Sequence, residues 1–254
     1  MPNMLGHSPL SAQFATNPLH LKTALFHTEV AAPIALRMTE MTCQYNASEK
    51  HYETAHNIAL GTDLPFFPYL SQNPSIAARL QAGVKFLGGA EGTHTEHLVE
   101  MFDWAAFGEA KVVDQSHFRS ALARDRKRIQ FVSHDFFQPQ PPASSLASIF
   151  LVRMVVQNHP KTATQTILRN IASVMKMGTD PVEQHHPCRS WDDGLRDEAL
   201  DRAKSMFMMQ AMNGADCGEE EFRELVEGCV VGLMVQEVVK CQRSALGLII
   251  VQKK

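Results

Sequence analysis

The sequence predicts an α/β fold in its second part and a helical assembly in its first. Three observations carry that reading. Up to about Phe107, apolar residues recur at helical spacing between Pro and Gly punctuation. After Gly108, short apolar runs of strand length alternate with amphipathic helices, the pattern of a mainly parallel sheet covered on its faces. The chain closes on two apolar runs, 234–241 and 245–251, joined by Gln242-Arg243-Ser244 and read as an antiparallel hairpin.

Each element has its own signal. Ser8 can cap a helix running through Phe14, and Asn17-Pro18 starts another, with Leu19, Leu21, Leu25 and Phe26 near one face. Asn73-Pro74 pairs a capping side chain with Pro at the first helical position; Ile76, Leu80, Val84 and Leu87 follow, and Gly88-Gly89 ends the helix. Residues 96–107 read as one further helix with Leu98, Met101, Phe102 and Trp104 inward. Strands are expected at 111–114, 128–132 and 147–152, and helices at 162–175, 198–212 and 219–226.

Composition bounds the function. With 254 residues, 44% hydrophobic and 20% charged, the chain can bury a core as one domain or two small ones. A net charge of −3 with dispersed Lys and Arg supplies no field for nucleic acid, and no nucleic-acid partner is expected. The five cysteines (Cys43, Cys188, Cys217, Cys229 and Cys241) form no CxxC pair, and their odd number argues against a disulfide framework. The opening residues show no basic and apolar leader, and no apolar run approaches the ~20 residues of a membrane span. A cytoplasmic protein without a membrane partner is expected. His185-His186 with Cys188 lacks a second ligand pair at zinc spacing, so no metal is expected.

An ordered set of short motifs resembles the fungal natural-product O-methyltransferases. These are class I S-adenosylmethionine (SAM) enzymes of the plant caffeate type. The motifs are Thr62-Asp63-Leu64-Pro65-Phe66-Phe67, Gln72-Asn73-Pro74, Phe102-Asp103-Trp104, Val112-Val113-Asp114, His134-Asp135-Phe136-Phe137, Leu151-Val152-Arg153-Met154, Ile167-Leu168-Arg169-Asn170 and Ser244-Ala245-Leu246. They span nearly the whole chain. The resemblance implies a Rossmann-like SAM-methyltransferase domain at 108–254, preceded at 1–107 by a helical region left from a dimerisation domain and its linker helices. It also implies SAM as cofactor, a polyketide-like or phenolic small molecule as ligand, and pairing with a second copy or a full-length homologue.

Four departures from the family pattern set the functional expectation. The chain starts after most of the family's winged helix. Asp114 is followed by Gln115-Ser116-His117-Phe118-Arg119, with none of the glycines that let the family's loop approach SAM. The next family strand, with its ribose-binding acid, has no counterpart, since 123–127 runs straight into the strand at Ile129. Residues 179–187 look too polar and Pro-broken for the central strand that the family has there.

By the same resemblance, the family's general-base His falls on Gln157, and an amide cannot take a proton from a phenol at neutral pH. His159, two residues on, is a weak substitute. Asp114, Asp135 and Phe136 are the surviving cofactor-side positions, with a plain alternative in which Phe136 and Phe137 are core and Asp135 caps a turn. Met206, Met209 and Asn213 fall on the acceptor-pocket helix. Cys217 stands where the family turn usually ends in Arg. No catalytic residue is intact on this reading. The expected protein is a degenerate O-methyltransferase homologue with a reduced sheet of five strands. The alternatives are an active SAM-dependent O-methyltransferase, a non-methylating cyclase or pericyclase on the same fold, and a non-catalytic partner of a full-length homologue.

Overall fold

A computed structural model describes residues 6–88, 95–101, 103–107, 111–114, 134–176, 180–185, 195–214, 216–229, 232–239 and 247–254. The chain divides into two compact units, Met1–His94 with Gln210–Met212, and Thr95–Met209 with Asn213–Lys254.

The first unit is helical. Helix α1 (Pro9–Thr16) is capped by the Ser8 side chain and α2 (Pro18–Phe26) by Asn17, as their sequences predict. A π-helical turn, His27–Ala31, carries α2 into α3 (Ala32–Ala35). Pro33 has no N–H to continue an α-helical ladder, and the wider turn just before it accommodates that loss. Helix α4 (Met38–Tyr45) follows. Helices α5 (Ala55–Leu60) and α6 (Phe66–Gln72) flank the first motif of the resemblance. That motif is held by one buried side chain. Asn57 donates to the carbonyls of Thr62 at 2.8 Å and Leu64 at 3.0 Å, and accepts from the Thr54 hydroxyl at 2.6 Å. Gly61, at φ +60°, supplies the left-handed turn between them. Helix α7 (Pro74–Gly88) packs on α2, and an Arg79–Glu29 ion pair ties it to the π turn.

The second unit is a sheet with helices on it. Helix α8 (Thr95–Met101) and a 3-10 turn, Trp104–Phe107, occupy the stretch expected as one helix. Strands β1 (Val112–Asp114), β2 (Ile149–Arg153) and β3 (Asp180–His185) run parallel. Helix α9 (Lys161–Val174) links β2 to β3, and α10 (Leu195–Met212) and α11 (Glu219–Cys229) follow. Strands β4 (Leu233–Val239) and β5 (Gly247–Lys253) form the expected antiparallel pair, with a bulge between Val235 and Glu237. The order is β1-β2-β3-β5-β4, and β3 and β5 are antiparallel.

Among the described residues the sheet has five strands, as expected, but not the expected five. The strand read at 128–132 lies outside the described residues. The segment 179–187, expected to be too polar for the sheet, instead provides the central strand β3. Its backbone pairs with β2 over Ile149–Arg153 and with β5 over Gly247–Ile250. Pro181 lies one residue inside the strand, where a missing N–H costs little of the ladder. Pairing on both sides outweighs the segment's own propensity.

Strand β2 is buried on both faces, which is why it reads as an uninterrupted apolar run. Phe150 and Val152, with Ile249 and Val251 from β5, pack against Ile167 and Ile171 of α9 and against Phe222 and Val226 of α11. Ile149, Leu151, Leu248 and Ile250 point the other way and meet Met101 and Trp104. Each such fully buried side chain contributes about 1.5–3 kcal/mol. Lys253 also reaches back from the end of β5 to cap α9, its Nζ donating to the carbonyls of Ala172 at 2.8 Å and Met175 at 2.9 Å.

Candidate functional site

In a parallel sheet, ligand-binding residues gather beyond the carboxyl ends of the strands. Here those ends are Asp114 of β1, Arg153 of β2 and the turn that follows Arg153. The register places Asp114 opposite Leu151, so Asp114 and Arg153 lie on the same face. Asp114 is exposed and Arg153 half-buried. Burial pushes the Arg153 guanidinium below its ordinary value, and the Asp114 carboxylate opposes that shift.

The chain then turns sharply. Met154 takes a left-handed φ of 52°, a strained conformation for a residue with a side chain. A 3-10 turn, Val156–Asn158, follows. Its backbone bonds run from Asn158 to Val155 and from His159 to Val156, each at 3.0 Å. The Asn158 side chain donates to the Met154 carbonyl at 2.9 Å, and the Thr164 hydroxyl reaches the Val156 carbonyl at 3.4 Å. The turn is therefore fixed at both ends, with Val155 and Val156 in the core.

On this turn Gln157 is 4% exposed, and its Oε1 has no hydrogen-bond partner among the described residues. A buried amide oxygen left without a partner costs about 1–3 kcal/mol. The His159 ring is buried and stands edge-on to Phe136 at 5.5 Å and to Phe137 at 5.2 Å. Those two rings meet each other at 4.9 Å and pack on the main core. The exposed Asp135 accepts from the Phe137 N–H at 3.0 Å, a turn-capping bond, and Asn170 of α9 donates to the Phe136 carbonyl at 3.0 Å.

The acceptor-helix candidates divide. Met206 is 44% exposed, Met209 is half-buried, and Asn213 ends α10 in the left-handed region at φ 54°. The structure thus brings Phe136 and His159 together, and sets Asn213 beside the chain that contacts the Gln157 turn. Arg153 and the strained Met154 lie within the motifs of the resemblance but are not among the site residues it implies. A charged residue closing an apolar strand is the signal that could have found Arg153. The glycine-free turn 115–119 lies outside the described residues, as do His186 and Cys188. Among the described residues no group of His, Cys, Asp or Glu is placed to hold a metal ion, and no helix is long and apolar enough to cross a membrane. Cys217, half-buried, packs on the core.

Comparison with known proteins agrees with the motif order. No protein-family model matches the chain. It is 33% identical over 288 aligned positions to O-methyltransferase VdtC of Byssochlamys spectabilis, an alignment that takes in 98% of this chain and 65% of that relative. Other fungal O-methyltransferases match at lower identity. Among solved structures, OxaC in complex with sinefungin and meleagrin superposes with a TM-score of 0.75 at 15% identity, covering 98% of this chain and 70% of that one. LepI in complex with SAM superposes with a TM-score of 0.69 at 17% identity, covering 97% of this chain and 70% of that one. The chain spans just under two thirds of the length of VdtC. By sequence it is similar to fungal O-methyltransferases, and its α/β fold resembles those of OxaC and LepI.

Proposed function

We propose that this chain is an O-methyltransferase-like protein of fungal secondary metabolism that holds a small phenolic or polyketide-like ligand and does not itself transfer a methyl group. The observation that carries the reading is Gln157. The resemblance puts the general base at this position, and the residue there is a buried amide whose oxygen has no hydrogen-bond partner among the described residues. An amide can accept a hydrogen bond from a hydroxyl but cannot remove its proton at neutral pH. His159 does not take over, because its ring packs on Phe136 and Phe137. The glycine-free sequence after Asp114 supports the same reading for the cofactor, since SAM needs close backbone approach there.

If SAM binds, Asp114 and the strand ends beside it are the residues that would hold it, and the cofactor would supply an electrophilic methyl group. This chain's own part would be to orient a ligand hydroxyl with Gln157 and exclude water. Pairing with a second copy or a full-length homologue through the N-terminal helices belongs to the same proposal. The test is direct. The purified chain is incubated with methyl-labelled SAM and a panel of simple phenols and naphthols, and label in the organic phase is counted. The expected result is no transfer above a boiled control. Multiple turnovers would contradict the proposal and favour an active methyltransferase.

A second reading, a non-methylating cyclase, also rests on Gln157. A fixed amide can polarise a carbonyl or hydroxyl through a hydrogen bond without any proton transfer, which is what steering a rearrangement requires.

A further inference from the structure

Just past α10, Gly214 meets the turn after β2 backbone to backbone. Beyond the left-handed Asn213, the Asn213 N–H bonds the Met209 carbonyl at 3.0 Å and the Gly214 N–H bonds the Met208 carbonyl at 3.2 Å. This folds the chain back and buries Gly214. A methyl group added at Gly214 would overlap the carbonyl oxygen of Gln157. It would also stand 2.8 Å from the carbonyl carbon of Asn158 and 2.9 Å from the nitrogen of His159. All three are main-chain atoms of a turn already pinned by Asn158 and Thr164. A side chain there could not be accommodated by rotating a neighbour; one main chain would have to move. Gly228 in α11 offers the contrast, since a methyl group there meets nothing within 4 Å.

We propose that Gly214 is the positioning residue of the candidate site. Its missing side chain lets the Asn213–Gly214 segment that follows α10 seat directly on the Gln157–His159 turn, and that seating fixes where the Gln157 amide oxygen is presented to a hydroxyl-bearing ligand. The ligand half of this proposal rests on the function proposed above; the seating half stands without it.

The seating is tested on the full chain by proton NMR. The His159 ring protons lie against two phenyl rings and report the position of the turn through ring-current shifts. Gly214→Ala moves the His159 ring and Gln157 side-chain amide signals, whereas Gly228→Ala leaves them in place. A folded Gly214→Ala protein with both sets of signals unmoved overturns the seating. If Gly214→Ala does not fold, amide exchange in the unaltered chain decides. The amides of Asn158, His159 and Gly214 then show protection factors agreeing within about threefold, as one cooperative unit does. Protection differing by more than about tenfold between Gly214 and the turn overturns the seating.

The ligand half is read with 4-nitrophenol as the probe, followed by its absorbance below its own pKa. Gln157→Leu and Gly214→Ala each weaken its binding by about tenfold, the worth of one hydrogen bond. No binding to the unaltered chain, or equal binding to Gln157→Leu, overturns the ligand half together with the proposed function, and leaves the seating to the NMR result.

Discussion

A histidine and a glutamine have similar reach, yet they do different chemistry when buried. On the function proposed here, the difference at position 157 separates a base from a hydrogen-bond acceptor. The expectation for Gln157 comes from the sequence alone, from the resemblance of Val156-Gln157-Asn158-His159-Pro160 to the stretch that carries the family's base. The isolation of its amide oxygen is not legible there, since that depends on which partners the fold brings near. The same holds for Gly214. A glycine after a helix reads as an ordinary terminator, and only the packed structure shows the backbone it rests on. A second histidine gives a pH prediction. His56 is fully buried in the first unit, edge-on to Phe66 at 5.3 Å and Tyr69 at 5.1 Å. Burial pushes its pKa down to about 4, and the Leu64 backbone offsets only part of this. In the unfolded chain a histidine titrates near ~6.5. As pH falls the unfolded state therefore takes up the proton first. The stability associated with neutral His56 is complete above about pH 6.5 and declines between there and about pH 4, by at most about 1.4 kcal/mol per unit. Urea midpoints at several pH values measure this. His56→Phe, which keeps the ring contacts, should flatten the acid slope in that window; an unchanged slope would assign it to other groups.

At the scale of elements, strands that alternate apolar faces or run wholly apolar are readable, and so are the helix starts at Ser8, Asn17 and Asn73-Pro74. The failure is β3. Its residues carry no apolar pattern, and its strand character comes from being paired on both sides by β2 and β5. The single helix expected over 96–107 is instead α8 followed by a 3-10 turn. Some joints between elements rest on single side chains. Lys253 caps α9 with two bonds to backbone carbonyls, far from it in sequence. Lys253→Met keeps most of the stem and removes the charge and the donors. It should lower stability by roughly 1–2 kcal/mol, as thermal or urea unfolding would register. Lys254→Met, at the exposed neighbouring residue, should change it little.

At the scale of the molecule, the order of weak motifs carries more than any one of them. Fold class and the resemblance to the O-methyltransferases both follow from that order, and the sheet and the similar proteins agree with it. It also locates the central difficulty, an α/β sheet of methyltransferase type whose first strand is not followed by glycines. The core of the sheet does not depend on that turn, because Phe150, Ile167, Phe222 and Ile249 pack together in one cluster. The function proposed here takes the cofactor seat to be lost with those glycines, because such a seat is made of backbone that glycines allow to come close. Titration of the full chain with SAM in a calorimeter tests this most directly. The predicted result is no saturable heat up to millimolar cofactor. A one-site isotherm with micromolar affinity would contradict it.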